Sequence, residues 1–218
     1  AHAPFRVHDR PPESKYADLL EYLKEFSLSM PSYAKVQPKD FTNLLKKVRL
    51  RPDAALLETV LLRSQSLAVY GTDNKGHFGL ALEAYSHFTS PIRRYPDLLV
   101  HRVIKALLNK QKYTLPLLPT PGEAHAKLAK RLAARVKAPT NKPAKATVAP
   151  SKEVMAWEAA GLHCSANERR ADEASRDVEA WLKCKYMREH LGEEYGGVVT
   201  SVTTFGIFVT LDAMYVEG

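Results

Sequence analysis

A length of 218 residues, 45% of them hydrophobic and 26% charged, suits one ordinary globular domain or one and a half, and excludes a low-complexity chain. No apolar run reaches bilayer-spanning length, and Ala1-His2-Ala3-Pro4-Phe5 lacks the basic-then-apolar order of a signal peptide. The net charge of +8 is uneven: Lys127, Lys130, Arg131, Arg135, Lys137, Lys142, Lys145 and Lys152 make a run with no acid, while the remaining 24 cations face 24 acids. A high isoelectric point is therefore weak evidence that the folded parts bind nucleic acid. Cys164 and Cys184 fit neither a CxxC nor a Cys/His ligand pattern, so two reduced thiols of a cytoplasmic protein are expected. The chain opens on Ala1 rather than Met and stops at Tyr215-Val216-Glu217-Gly218, so a longer parent chain is expected.

In chain order, Tyr16, Leu19, Leu20 and Leu23 fall at i, i+3, i+4, i+7 and predict an amphipathic helix. A second helix is predicted from Pro38, with Asp40 as cap and Phe41, Leu44, Leu45 and Val48 on one face. A third is predicted from Asp53 through Leu67, closed by Gly71 in a left-handed cap. These three read as packing helices. After the turn-rich Gly71–Gly76 stretch, Phe78, Leu80 and Leu82 alternate with small residues and predict a strand.

Pro96 and Asp97 open another helix through Leu98, Leu99, Val103, Ile104, Leu107 and Leu108. Residues 115–150 read as a basic, Pro/Ala/Lys-rich insertion, with Leu128–Val136 as a possible short helix. It could contact RNA phosphates or be a solvated loop. Order is expected to resume near Glu153. Ser165-Ala166-Asn167-Glu168 has capping-box spacing and predicts the head of a long helix carrying Ala171, Ala174, Val178, Trp181 and Leu182, ended by Gly196-Gly197. Two strands follow, Val198–Val202 and Phe205–Leu211.

The segment richest in chemistry is His87-Phe88-Thr89-Ser90-Pro91-Ile92-Arg93-Arg94-Tyr95-Pro96-Asp97. Two arginines stand directly before a Pro-initiated helix, whose N-terminus attracts anions. Guanidinium forks match phosphate oxygens, the prolines restrain the backbone, and Thr89 and Ser90 add hydroxyl donors. Such a group suits a phosphodiester. The alternative is a solvated arginine pair at a helix start. His8, His77, His87 and His101 lack ligand spacing and read as structural histidines, and Tyr95 and Trp181 read as core.

The run Gly76–Leu82 followed by Tyr85–Leu98, with Phe5–Asp9, Arg51-Pro52-Asp53, His163-Cys164-Ser165, Glu168–Asp172, Arg176-Asp177-Val178 and Trp181-Leu182, resembles the ribonuclease II/ribonuclease R (RNB) family of exoribonucleases, with a nearer fit to its ribonuclease R branch. Gly197-Val198-Val199, Val202 and Phe205–Val209 are similar to the opening of an S1 RNA-binding domain, a five-stranded OB-type barrel.

The resemblance implies an α+β chain. Residues 1–192 would be the mostly helical C-terminal part of an RNB catalytic domain, and residues 193–218 the first strands of an S1 barrel. It implies metal-dependent, processive 3′-to-5′ hydrolysis of single-stranded RNA to nucleoside 5′-monophosphates, with Mg²⁺ ions and Arg93 stabilising the transition state at the scissile phosphate. Thr89, Ser90, Arg94, Phe205 and Phe208 are the expected RNA contacts; strand alternation puts Phe205 and Phe208 on opposite faces and leaves open which points outward. The aspartate cluster that holds the family's metals has no counterpart here, since Asp9, Asp18, Asp40, Asp53 and Asp73 are scattered. The Mg²⁺ ligands are therefore expected outside this chain, as is the family's base-stacking tyrosine. Asp172 and Asp177 read as surface pairs. The family's later-helix glutamate corresponds to Glu168 or Glu173. A non-catalytic RNA-binding module and a helical scaffold are the competing readings.

Overall fold

The computed structural model describes residues 2–115, 152–214 and 216–218. Apart from Leu115, the basic insertion and its short helix lie outside the described residues. The chain divides into two compact units, residues 1–168 and 169–218.

In the first unit, strand β1 (Phe5–Val7) pairs antiparallel with β2 (Val69–Gly71), placing Arg6 opposite Tyr70. Helices α1 (Glu13–Glu25), α2 (Pro38–Val48) and α3 (Ala54–Ser64) lie between these strands in sequence. Leaving Leu45 and Leu56 of the expected stripes exposed, α1 buries Tyr16, Leu19 and Leu23, α2 buries Phe41, Leu44 and Val48, and α3 buries Leu57 and Leu61. With Val36 these side chains form one core, and each such apolar side chain stabilises by roughly 1.5–3 kcal/mol when fully buried.

Two local expectations change. Asp40 is not the cap of α2 but its third residue, where its carboxylate accepts the Gln37 backbone N–H at 2.8 Å. Helix α3 ends at Ser64, because Gln65 turns extended and Gly71 belongs to β2. Asp53 caps nothing with its side chain, which is held by Arg51 through two bonds of 2.7 and 2.8 Å.

The strand expected at residues 77–82 is instead a short 3₁₀ turn, Phe78–Leu80, closed by Ala81 in the left-handed region. The His77 carbonyl accepts the Leu80 and Leu82 N–H groups, which curls the chain. Phe78 stands edge-on to Phe41, 5.9 Å away, so the alternation reflects one inward ring rather than a pleat. A Cβ at Gly79 would lie 3.2 Å from the His8 ring, which would have to give by a few tenths of an ångström.

Helix α4 (Tyr95–Leu108) begins as expected, with a proline in its first turn. Helix α5 (Lys152–Met187) buries Trp157, Ala160, Gly161, Cys164, Ser165 and Ala166. Leu99 and Val103 of α4 and Trp157 of α5 form a second core cluster. Ser165 does not head this helix. Its hydroxyl bonds back to the Gly161 carbonyl at 2.8 Å, a known habit of mid-helix serine, and accepts the Tyr70 N–H at 2.8 Å. A Cβ at Gly161 would lie 2.7 Å from the Tyr70 carbonyl oxygen, so α5 meets β2 through bare backbone.

In the second unit, α5 ends at Met187 rather than at Gly196-Gly197, and a 3₁₀ turn, Arg188–His190, follows. Gly197 instead starts β3 (Gly197–Thr203), which pairs antiparallel with β4 (Gly206–Leu211) across an irregularity between Val199 and Ser201. Asp172 pairs with Arg169 on the surface, as expected. Trp181 is not core: it is 61% exposed, with the Lys185 ammonium 5.3 Å from its ring centre. Its face of α5 also leaves Val178 and Leu182 exposed, so the apolar periodicity there does not report burial among the described residues.

Candidate nucleic-acid interface

The segment that carries the two arginines is tied down along its length. The Ser86 hydroxyl donates to the Pro4 carbonyl at 3.0 Å, and the Tyr70 hydroxyl shares a 2.8 Å hydrogen bond with His87 Nδ1. The His101 ring lies parallel to Phe88 at 4.2 Å and bonds the Phe88 carbonyl through Nε2 at 2.9 Å. The Ser90 carbonyl accepts the Arg93 and Arg94 N–H groups, making one helical turn ahead of α4.

The two arginines then part company. Arg94 donates through Nη2 to the Asp97 carboxylate at 2.8 Å, and Asp97 is fully buried. Arg93 is exposed, with no side-chain hydrogen bond or ion pair among the described residues. Thr89 is exposed and Ser90 partly so. In the second unit, Phe205 is 82% exposed, while Phe208 is partly buried and edge-on to it at 6.1 Å.

Behind this segment lies a group that periodicity does not reveal. Arg6 stands over the Tyr70 ring at 4.6 Å and donates to Glu168 at 2.7 Å. Burial pushes the Tyr70 hydroxyl up to about 12, with Arg6 pulling the other way. Of the two candidate glutamates, Glu168 is the one beside Arg6; Glu173 is exposed. A hint existed in the sequence: Arg6 interrupts the apolar run Phe5-Arg6-Val7, and a charge on a strand that packs inward needs a partner.

The histidines are satisfied structural groups. His8 accepts the Gly79 N–H through Nδ1 at 2.9 Å and donates from Nε2 to the Ser66 carbonyl at 2.8 Å, which fixes a neutral tautomer. It stacks on His77 at 4.9 Å. Burial lowers the basicity of His8, His77 and His87; for His87 the Arg94 and Arg6 charges add to it, and for His77 the charges of His8 and Arg6. The ordinary imidazole value is 6.5, so below it the unfolded chain takes up protons that the folded chain resists. The stability these neutral rings preserve is thus complete above 6.5 and lost as pH falls through and below it. Thermal melts at about pH 7.5 and 5.5 are expected to show a lower melting temperature in acid, and equal melts would contradict this assignment.

Among the described residues, no group of three or more His, Cys, Asp or Glu is placed to hold a metal ion, and no helix is long and apolar enough to cross a membrane. Both cysteines are free, Cys164 buried and Cys184 exposed.

Comparison with known proteins accounts for this layout. Ribonuclease R of Escherichia coli (strain K12) is 42% identical over 214 residues, covering 98% of this chain and 23% of that protein. Ribonuclease R of Vibrio cholerae is 42% identical over 220 residues with the same shares, and that of Aquifex aeolicus 36% over 214 residues, 98% of this chain and 25% of that protein. The chain thus spans about a quarter of the length of these relatives. The solved structure of Mycoplasma genitalium RNase R in complex with ribose methylated single-stranded RNA has the same fold, at a TM-score of 0.72 and 23% identity, covering 100% of this chain and 29% of that one. Its apo form matches at 0.73 and 22% identity, with the same shares. Residues 1–110, which include the Ser86–Asp97 segment, match the RNB domain, and the chain belongs to that family.

Proposed function

We propose that this chain is part of a 3′-to-5′ exoribonuclease that hydrolyses single-stranded RNA processively to nucleoside 5′-monophosphates. The observation that carries the reading is Arg93, a free and exposed guanidinium on a segment anchored at both ends. A donor fork held in place needs little reorganisation to meet a charged phosphate oxygen. Arg93 is the catalytic arginine of this reading and Thr89 and Ser90 flank it as RNA contacts, while Arg94, expected as a further contact, is instead paired with buried Asp97. Similarity to ribonuclease R supports the activity, and the structural neighbour bound to single-stranded RNA supports that substrate.

Residues 1–192 belong to the catalytic domain in this reading, and residues 193–218 begin an S1-type barrel in which exposed Phe205, with Phe208 beside it, stacks on bases. The family reading calls for Mg²⁺, which the described residues do not fit, so its ligands belong outside them and no step is assigned to it. The compartment is the cytoplasm, where the two thiols stay reduced.

The test is a 5′-labelled single-stranded RNA incubated with the 218-residue chain, with and without Mg²⁺, and scored for filter retention and for shortening on a gel. Retention without shortening is expected. Progressive shortening only with metal would place a metal site within these residues. Absence of retention by a folded chain would overturn the RNA reading.

A further inference from the structure

We infer that Asp97 is the positioning residue for Arg93: its buried carboxylate sets the Ser90–Arg94 turn and decides which of the two arginines faces RNA. The inference rests on Arg93 being a phosphate contact.

Taking a carboxylate fully out of water costs several kcal/mol unless strong partners replace the water. The Asp97 side chain is 0% exposed, and its Oδ2 has two partners. One is the Arg94 guanidinium at 2.8 Å. The other is the Ser90 backbone N–H at 2.8 Å, seven residues earlier in the chain. A carboxylate serving only its own helix would accept from the first turn of α4. This one reaches across to Ser90, whose carbonyl in turn accepts the N–H groups of Arg93 and Arg94.

Arg93 is thus held two hydrogen bonds away from a group locked in the interior. The same carboxylate draws the Arg94 side chain inward, to 23% exposure, while its neighbour stays out. Asp97 Oδ1 and Arg94 Nε are both buried without a partner, so the pair meets through one bond rather than a full fork. That geometry is what results when the Ser90 amide competes for the same oxygen.

Simple electrostatics makes the opposite forecast. Removing a carboxylate near an anion site, and freeing Arg94, should strengthen RNA binding. The positioning role requires weakening, so the sign of the effect separates the two.

The experiment measures fluorescence anisotropy of a labelled single-stranded RNA with the 218-residue chain and its R93A, D97N and R93A/D97N variants over a range of salt, with circular-dichroism melts as the folding control. R93A is expected to weaken binding about tenfold, the scale of a charge-assisted hydrogen bond. It should also lower the slope of log K against log salt by about 0.7, one single-strand phosphate contact. D97N is expected to weaken binding by a similar factor, and the double variant to bind no more weakly than R93A alone. Unchanged or tighter binding by D97N, or losses that simply add in the double variant, would overturn the inference while leaving Arg93 as a contact. An R93A variant that binds as well as the unmodified chain would instead sink the reading of Arg93 itself. Hydrogen exchange of the unmodified chain tests the tether without any substitution: the Ser90 amide is expected to exchange more slowly than that of exposed Thr89, and equal rates would refute it.

Discussion

Replacing Trp157 by alanine is expected to cost about 3–5 kcal/mol, the usual loss when a large aromatic leaves a packed interior. Trp157 is 2% exposed and packs with Leu99 and Val103, with Ala3, Tyr95, Tyr113 and Leu115 around them. The cavity would open between α4 and α5, so the surrounding side chains cannot fill it without moving a helix. One term works in the opposite direction. The indole N–H is buried without a partner, and its removal relieves part of the loss. The expected value therefore lies toward the lower end of the range. Denaturant unfolding followed by circular dichroism measures it, and a loss below about 1 kcal/mol would mean that the cluster does not clamp the two helices. RNA retention should fall with the folded fraction, since Trp157 packs with Leu99 and Val103 in the interior rather than beside Arg93.

Arg93→Ala has the converse profile, a large effect on RNA and little on stability. The Arg93 side chain has no partner to lose among the described residues, and a surface substitution of that kind usually stays within about 0.5 kcal/mol. Affinity for single-stranded RNA is expected to fall about tenfold. Arg93→Lys should recover part of that loss, because an ammonium keeps the charge but not the fork that matches two phosphate oxygens. The effect should fade as salt rises, since counterions screen an exposed charge. A melting temperature that drops as far as that of the Trp157 variant would instead make Arg93 a packing residue.

The amphipathic elements were legible because each buries a single stripe. Tyr16, Leu19 and Leu23 or Phe41, Leu44 and Val48 need only a partner surface, whichever it is. The first unit's sheet was not legible, because Phe5–Val7 and Val69–Gly71 are too short for alternation to register and pair across three intervening helices. Ser165 misled through chemistry rather than noise, since a hydroxyl that accepts one N–H serves a cap and a helix-to-strand contact equally well. Trp181 misled because periodicity records apolar side chains, not what covers them. At the site, the arginine pair stood out in the sequence, but nothing in their spacing separated Arg93 from Arg94. That distinction depends on Asp97, whose burial only the packed helix supplies.

The contacts behind the arginines join distant parts of the chain. Arg6 meets Glu168 across 162 positions, and Tyr70 meets Ser165 across 95. The buried residues of the α1, α2 and α3 core, by contrast, all lie within residues 16–61. Local contacts close first, because long loops cost more entropy before they repay it. During synthesis the helical trio can pack while α5 is still unmade, whereas the Arg6–Tyr70–Glu168 stack must wait for the last of its members to emerge. The Arg6–Tyr70–Glu168 group is therefore among the later features of these residues to form, whereas the Ser90–Asp97 turn, closed within eight residues, is free to set as soon as α4 is made.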